Sequence, residues 1–189
     1  MNADLLLGSA LSALIFLICL CLYGKLLDCL RGLVAKKCGG FFAVLTFIGI
    51  AHHELSHAVV ALLTGAKVNS IVLFRLKAKN GNLGEVKITP RGLGIFKSLQ
   101  ICLSSAAPMI LGSLNLFLMF KYLNPILHSW KLAMTIYAEI TILLNMSLSK
   151  QDVLNILKHM FWLLILTVGL FYAFKINFLA GVFPSIAGA

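Results

Sequence analysis

The chain has 189 residues, 60% hydrophobic and only 12% charged, with a mean hydropathy of +0.99. Soluble domains are about 45–50% apolar and roughly 25% charged, so the composition excludes an ordinary water-soluble enzyme and predicts a single membrane-embedded domain over residues 1–189, an integral, multi-pass membrane protein. The formal net charge of +10 does not point to nucleic acid, because the basic residues stand between apolar segments and concentrate from Lys67 to Lys97, as loops facing the anionic headgroups of a lipid bilayer do.

Stretches of about 20 apolar residues span a bilayer, and five are expected: Leu5–Tyr23, Phe41–Leu63, Ile95–Phe120, Ile126–Asn145 and Val153–Phe174. The first follows Asp4 with no basic region before it, which predicts a retained span rather than a cleaved leader. Cys19, Cys21 and Cys102 fall inside spans, whereas Cys29 and Cys38 fall in the expected loop after the first, where a disulfide is conceivable. After the second span, the β-branched run Val68–Lys77 and the run Gly84–Thr89 flank Asn80-Gly81, the signature of a hairpin. The tail Ile176–Ala189 is short and interrupted by Pro184; it is expected to form a half span or lie in the interface. The predicted fold is an all-α polytopic membrane protein of about five to six transmembrane helices, with a small membrane-associated β-hairpin after the second.

The second span contains His52-His53-Glu54-Leu55-Ser56-His57. Residues four apart share a helix face, so His53 and His57 are placed to grip one metal ion. Glu54 is then the candidate catalytic base for a water activated by zinc. His52 does not fit this pattern, since its partner four residues on is Ser56. With this composition a shuffled chain would contain H-E-x-x-H roughly two times in a thousand. The alternative, a set of core histidines and a buried neutral Glu, is disfavoured in a membrane span, where a central charge costs about 2.5–3.5 kcal/mol and marks a functional candidate.

Zinc needs a third protein ligand, and the candidates are Asp4, Asp28, Glu85, His128, Glu139, Asp152 and His159. Two crossings, Ile95–Phe120 and Ile126–Asn145, return the chain to the face where the His helix exits. Asp152 is therefore the expected ligand, and Glu139 the alternative. Asn145–Gln151 is expected to dip inward as non-helical backbone, which is tolerated where it lines a polar cavity.

These residues resemble the site-2 protease family of intramembrane zinc metalloproteases. The resemblance rests on "HELSHAVVALLTGAKV", a specific motif in a membrane helix, and on two weaker stretches, "SSAAPMILGS" (Ser104–Ser113) and "NMSLSKQD" (Asn145–Asp152). It covers roughly residues 41–160, the expected metalloprotease core. It implies zinc as cofactor, His53, His57 and Asp152 as ligands, Glu54 as base and Asn145 as a substrate- or oxyanion-positioning residue. It also implies a transmembrane protein substrate, strand-wise guidance of that substrate by the hairpin, and control through a regulatory membrane partner. Two departures from the family pattern are Val153 where a Gly usually follows the Asp, and the lack of a proline between Asn145 and Asp152.

Two other readings compete. A prenyl-type membrane protease would use Glu139 in place of Asp152. Of the noncatalytic metal-binding readings, a transporter should carry several polar residues along its spans, and an inactive homologue acting as an adaptor would usually lack Glu54, which is present here. Basic residues balance on the two faces, so the positive-inside rule does not orient the chain. The resemblance and the large basic loop place Lys67–Lys97 on the cytoplasmic side.

Overall fold

The computed structural model describes residues 3–75 and 83–176. Lys77, Lys79, the Asn80-Gly81 turn, the Asp4 side chain and the tail from residue 177 onward lie outside that description.

Helix α1 runs from Ala3 to Cys38, well past the expected end at Tyr23. At 1.5 Å per residue it is about 54 Å long, against roughly 30 Å of bilayer hydrocarbon. Lys25, Asp28, Arg31, Lys36 and Lys37 end the apolar run without ending the helix, because Lys and Arg are good helix formers and no proline intervenes. It stops at Gly39, whose φ of +55° suits a helix-terminating glycine. The disulfide considered for Cys29 and Cys38 is thereby ruled out: nine residues apart on one helix, they are separated by about 13 Å along its axis, and both thiols are free.

A short turn of helix, α2 (Phe42–Leu45), precedes α3 (Phe47–Leu63), the helix carrying the histidines. The break falls at Thr46, whose hydroxyl donates back to the Phe42 carbonyl at 2.9 Å. At the far end Gly65, with φ +84°, closes α3: Gly65 N–H bonds Leu62 O at 3.0 Å and Ala66 N–H bonds Ala61 O at 2.8 Å. This paired motif turns the chain into strand β1.

β1 (Lys67–Val72) pairs antiparallel with β2 (Glu85–Thr89), with Lys67 opposite Thr89 and Val72 opposite Glu85. The register shifts by one residue between Val68 and Ser70, so Asn69 forms a bulge; its amide donates to Thr89 Oγ1 at 2.7 Å. Both strands are shorter than the runs expected from the sequence, but they follow the His helix as anticipated.

Helix α4 (Gly94–Leu118) continues through a π turn (Met119–Leu123) and a 3₁₀ turn (Asn124–Ile126). Helices α5 (Trp130–Asn145) and α6 (Lys150–Ala173) follow. Among the described residues, three stretches are long and apolar enough to cross a membrane: Leu5–Leu45, Gly94–Ile126 and Lys150–Ala173. α3 is apolar but has only 17 residues, and α5 has 16.

α3 is the hub, packed against α4, α5 and both strands, while α6 packs on α4 and α1. Small residues set these approaches. A Cβ on Gly49 would overlap the Thr141 carbonyl, so α3 and α5 meet backbone to backbone there. Ser104, Ser105, Ala106 and Ala107 are buried on α4, giving α3 and α6 room to come close. Exposed Leu, Ile and Phe side chains cover the outside of α1, α4 and α6, the surface a lipid environment calls for.

Candidate metal centre

Three elements bring the site together. α3 supplies His53, Glu54 and His57 from one face. α5 ends at Asn145, and the non-helical Met146–Ser149 connection, buried at Met146 and Ser147, leads into α6, which delivers Asp152 in its first turn. The inward dip expected for Asn145–Gln151 is present as far as Ser149, after which the helix begins. Ser149 is the N-cap: its hydroxyl accepts from Asp152 N–H at 3.2 Å, and Asp152 Oδ2 accepts from both the Ser149 backbone N–H, at 3.0 Å, and its hydroxyl. This reciprocal cap holds the Asp152 carboxylate in one orientation.

The two histidines are oriented by carbonyl groups freed from helical bonding. His53 Nδ1 lies 2.7 Å from Asn145 O, at the end of α5, where the last carbonyls have no helical donor. His57 Nδ1 lies 2.7 Å from Ser104 O inside α4. The residue four positions on from Ser104 is Pro108, which has no N–H to give. Pro108 thus leaves the Ser104 carbonyl available to the histidine. Carbonyls only accept, so both Nδ1 atoms carry the proton and both Nε2 atoms present lone pairs.

Those Nε2 atoms are 3.1 Å apart, and Asp152 Oδ2 lies 3.6 Å from that of His57 and 3.9 Å from that of His53. Three electron-rich atoms therefore converge on one point, with His57 8% and Asp152 7% exposed. Ligand atoms on a tetrahedral zinc with bonds of about 2.0–2.1 Å stand about 3.3 Å apart, which the observed triangle brackets. This buried group could hold a metal ion, and a cation at its centre relieves the mutual repulsion of the lone pairs. The chemistry and spacing of the donors fit the group.

Glu54 lines the same cavity of about 410 Å³ as the three donors. One wall is the segment Leu83–Val86. At Gly84 a Cβ would run into the Glu54 side chain, with its Oε1 only 2.7 Å away, so a glycine is required for the hairpin to close over the acid. Glu85 on that wall pairs with Arg75 at 2.8 Å and with Lys87 at 3.7 Å.

The other sequence candidates are placed elsewhere or differently. Glu139 accepts from Asn124 Nδ2 at 2.9 Å and borders a separate, apolar cleft with Leu116, Phe120, Ile140 and Leu143. It does not join the histidines, so the alternative ligand set lacks its carboxylate. Asn145 lines the cavity, but its amide donates to Thr141 O at 2.9 Å; its carbonyl is the group that touches His53. His52 pairs with Asn115 at 2.7 Å instead of the site. Sequence reasoning missed Arg31, Gly84, Ser149 and Pro108. Only Pro108 carried a local signal, as a proline inside an apolar helix beside a Ser-Ala run.

Pro108→Ala gives this turn of α4 an N–H that competes for the Ser104 carbonyl. Partners that orient a metal-bound histidine are worth 10–100-fold in affinity, so zinc affinity is expected to fall about tenfold with no loss of thermal stability. Competition with a calibrated chelator measures it; unchanged affinity would show that His57 is oriented by other means.

No family model, no curated protein and no solved structure matches this chain.

Proposed function

We propose that this chain is an intramembrane zinc metalloprotease of the site-2 protease type, a multi-pass protein of five to six transmembrane helices. It hydrolyses a peptide bond in or near a transmembrane segment of a membrane protein. The observation that carries the reading is the convergence of two Nδ1-anchored histidines and a capped aspartate on one point, with Glu54 beside them.

A zinc ion on His53, His57 and Asp152 would polarise the scissile carbonyl and acidify the attacking water. Glu54 takes one proton from that water as its oxygen adds to the carbonyl carbon, and delivers it to the amide nitrogen as the C–N bond breaks. One water is consumed; a carboxylic acid and an amine are released. The hairpin wall covers one side of the half-open cavity beside Glu54. A helical substrate must unwind locally, since its amides are shielded by their own hydrogen bonds, and the polar cavity offers replacement partners. Asn145, at the cavity edge, is the residue nearest to a substrate-positioning role. The resemblance orients the His helix from outside to inside, with Lys67–Lys97 cytoplasmic, and control falls to a membrane partner.

The direct test is hydrolysis of fluorogenic transmembrane peptides by the full chain in proteoliposomes. Activity that is abolished by a zinc chelator and restored by zinc supports the reading. A zinc-loaded protein that cleaves none of a broad peptide set, and traps no membrane protein as Glu54→Gln, would instead be a noncatalytic metal-binding protein.

A further inference from the structure

The extension of α1 beyond its apolar run carries a charge into the site. Arg31, half-buried, lines the same cavity as His53, Glu54, His57 and Asp152. Among the described residues it has no ion pair. The other charges at the cavity are committed: Asp152 to its cap and the metal triangle, Glu85 to Arg75 and Lys87. The two sides of the cavity also differ. Arg31 enters from α1, whereas Glu54 stands against the hairpin at Gly84. A substrate chain in this cavity shares it with both Glu54 and a guanidinium that has no ion pair among the described residues.

A half-buried guanidinium with no direct ion pair is available to an incoming anion, and its fork matches a carboxylate bidentately. We propose that Arg31 forms a specificity subsite for a substrate carboxylate lying within a few residues of the scissile bond. The carboxylate is either an Asp or Glu side chain or a peptide C-terminus. The proposal rests on the hydrolase reading above.

The test uses the full-length, zinc-loaded protein in neutral detergent and three matched hydroxamates, which bind a zinc centre directly. Their peptide portions end in Leu-Asn-amide, Leu-Asp-amide and Leu-Asn with a free terminal carboxylate. Wild type is expected to bind at least one acidic probe about tenfold more tightly than the neutral one, in keeping with charge-assisted hydrogen bonds. Which acidic probe gains distinguishes side chain from terminus. Arg31→Gln is expected to lose that ratio and Arg31→Lys to retain part of it, with zinc content reporting that each variant is folded. Equal binding of all three probes by wild type, or a preference that persists in Arg31→Gln, overturns the subsite and leaves the hydrolase reading standing. A preference that disappears when phosphatidylglycerol, but not phosphatidylcholine, is added to the micelles assigns Arg31 to lipid phosphate and overturns it too. If no hydroxamate binds the zinc-loaded protein, the hydrolase reading falls and the subsite with it.

Discussion

Glu54→Gln is expected to keep its zinc and lose hydrolysis. The substitution preserves shape, so the wall at Gly84, which leaves no room even for a Cβ beside this side chain, still closes over it. What would disappear, under the proposed hydrolase mechanism, is the ability to accept a proton from the attacking water and hand it to the leaving nitrogen. General acid–base groups contribute about 10²–10⁴-fold, and the rate should drop by that range. The metal triangle is built from His53, His57 and Asp152 without help from Glu54, so zinc per chain should match wild type. The informative measurement is both quantities on one preparation. A variant retaining more than about a tenth of the wild-type rate would remove Glu54 from the chemistry, and one that lost its zinc would make it a ligand.

His57→Ala should abolish stoichiometric zinc. Its Nε2 is the donor nearest to both partners, 3.1 Å from His53 and 3.6 Å from Asp152, and two remaining protein ligands are too few for a structural or catalytic zinc site. Wild type should hold about one zinc per chain, and His57→Ala less than roughly a tenth of that after dialysis, given the three-ligand requirement. Asp152→Ala should weaken binding strongly, since it also strips Ser149 of its reciprocal partner. Glu139→Ala is the internal control: its carboxylate bonds Asn124 in another cleft, so zinc should be unaffected. Elemental analysis of detergent-purified protein reads all four. Zinc retained by His57→Ala would refute the site, and zinc lost only in Glu139→Ala would move it.

How much of this was legible in the sequence follows from how local each signal is. His53, Glu54 and His57 are within five residues, and helical spacing alone puts the two histidines on one face. Asp152 lies 95 residues further along and is expected from a count of crossings; in the structure the turn after α5 and the N-cap of α6 carry it to the histidines. The end of α1 was not legible. Hydropathy falls at Lys25 and was read as a loop, but helix formation depends on backbone propensity, which Lys and Arg satisfy. Arg31 was lost with that error. Gly84 and Ser149 owe their importance to what packs against them in space, and no neighbour in the sequence announces it. Asn145 was singled out for its side chain, whereas the contact it makes with the site runs through its backbone carbonyl.

The triangle also spans the biosynthetic order of the chain. Two donors are made early, in α3, and the third only as α6 begins. Until Lys150–Ala173 is in place, a nascent chain can offer a metal the two imidazoles but not the Asp152 carboxylate. Once bound, the ion would close a loop of about 95 residues, much as a covalent crosslink would, and long loops gain most from such closure. Metal uptake would then serve as a checkpoint on assembly: a molecule that misplaces its last helix would stay empty.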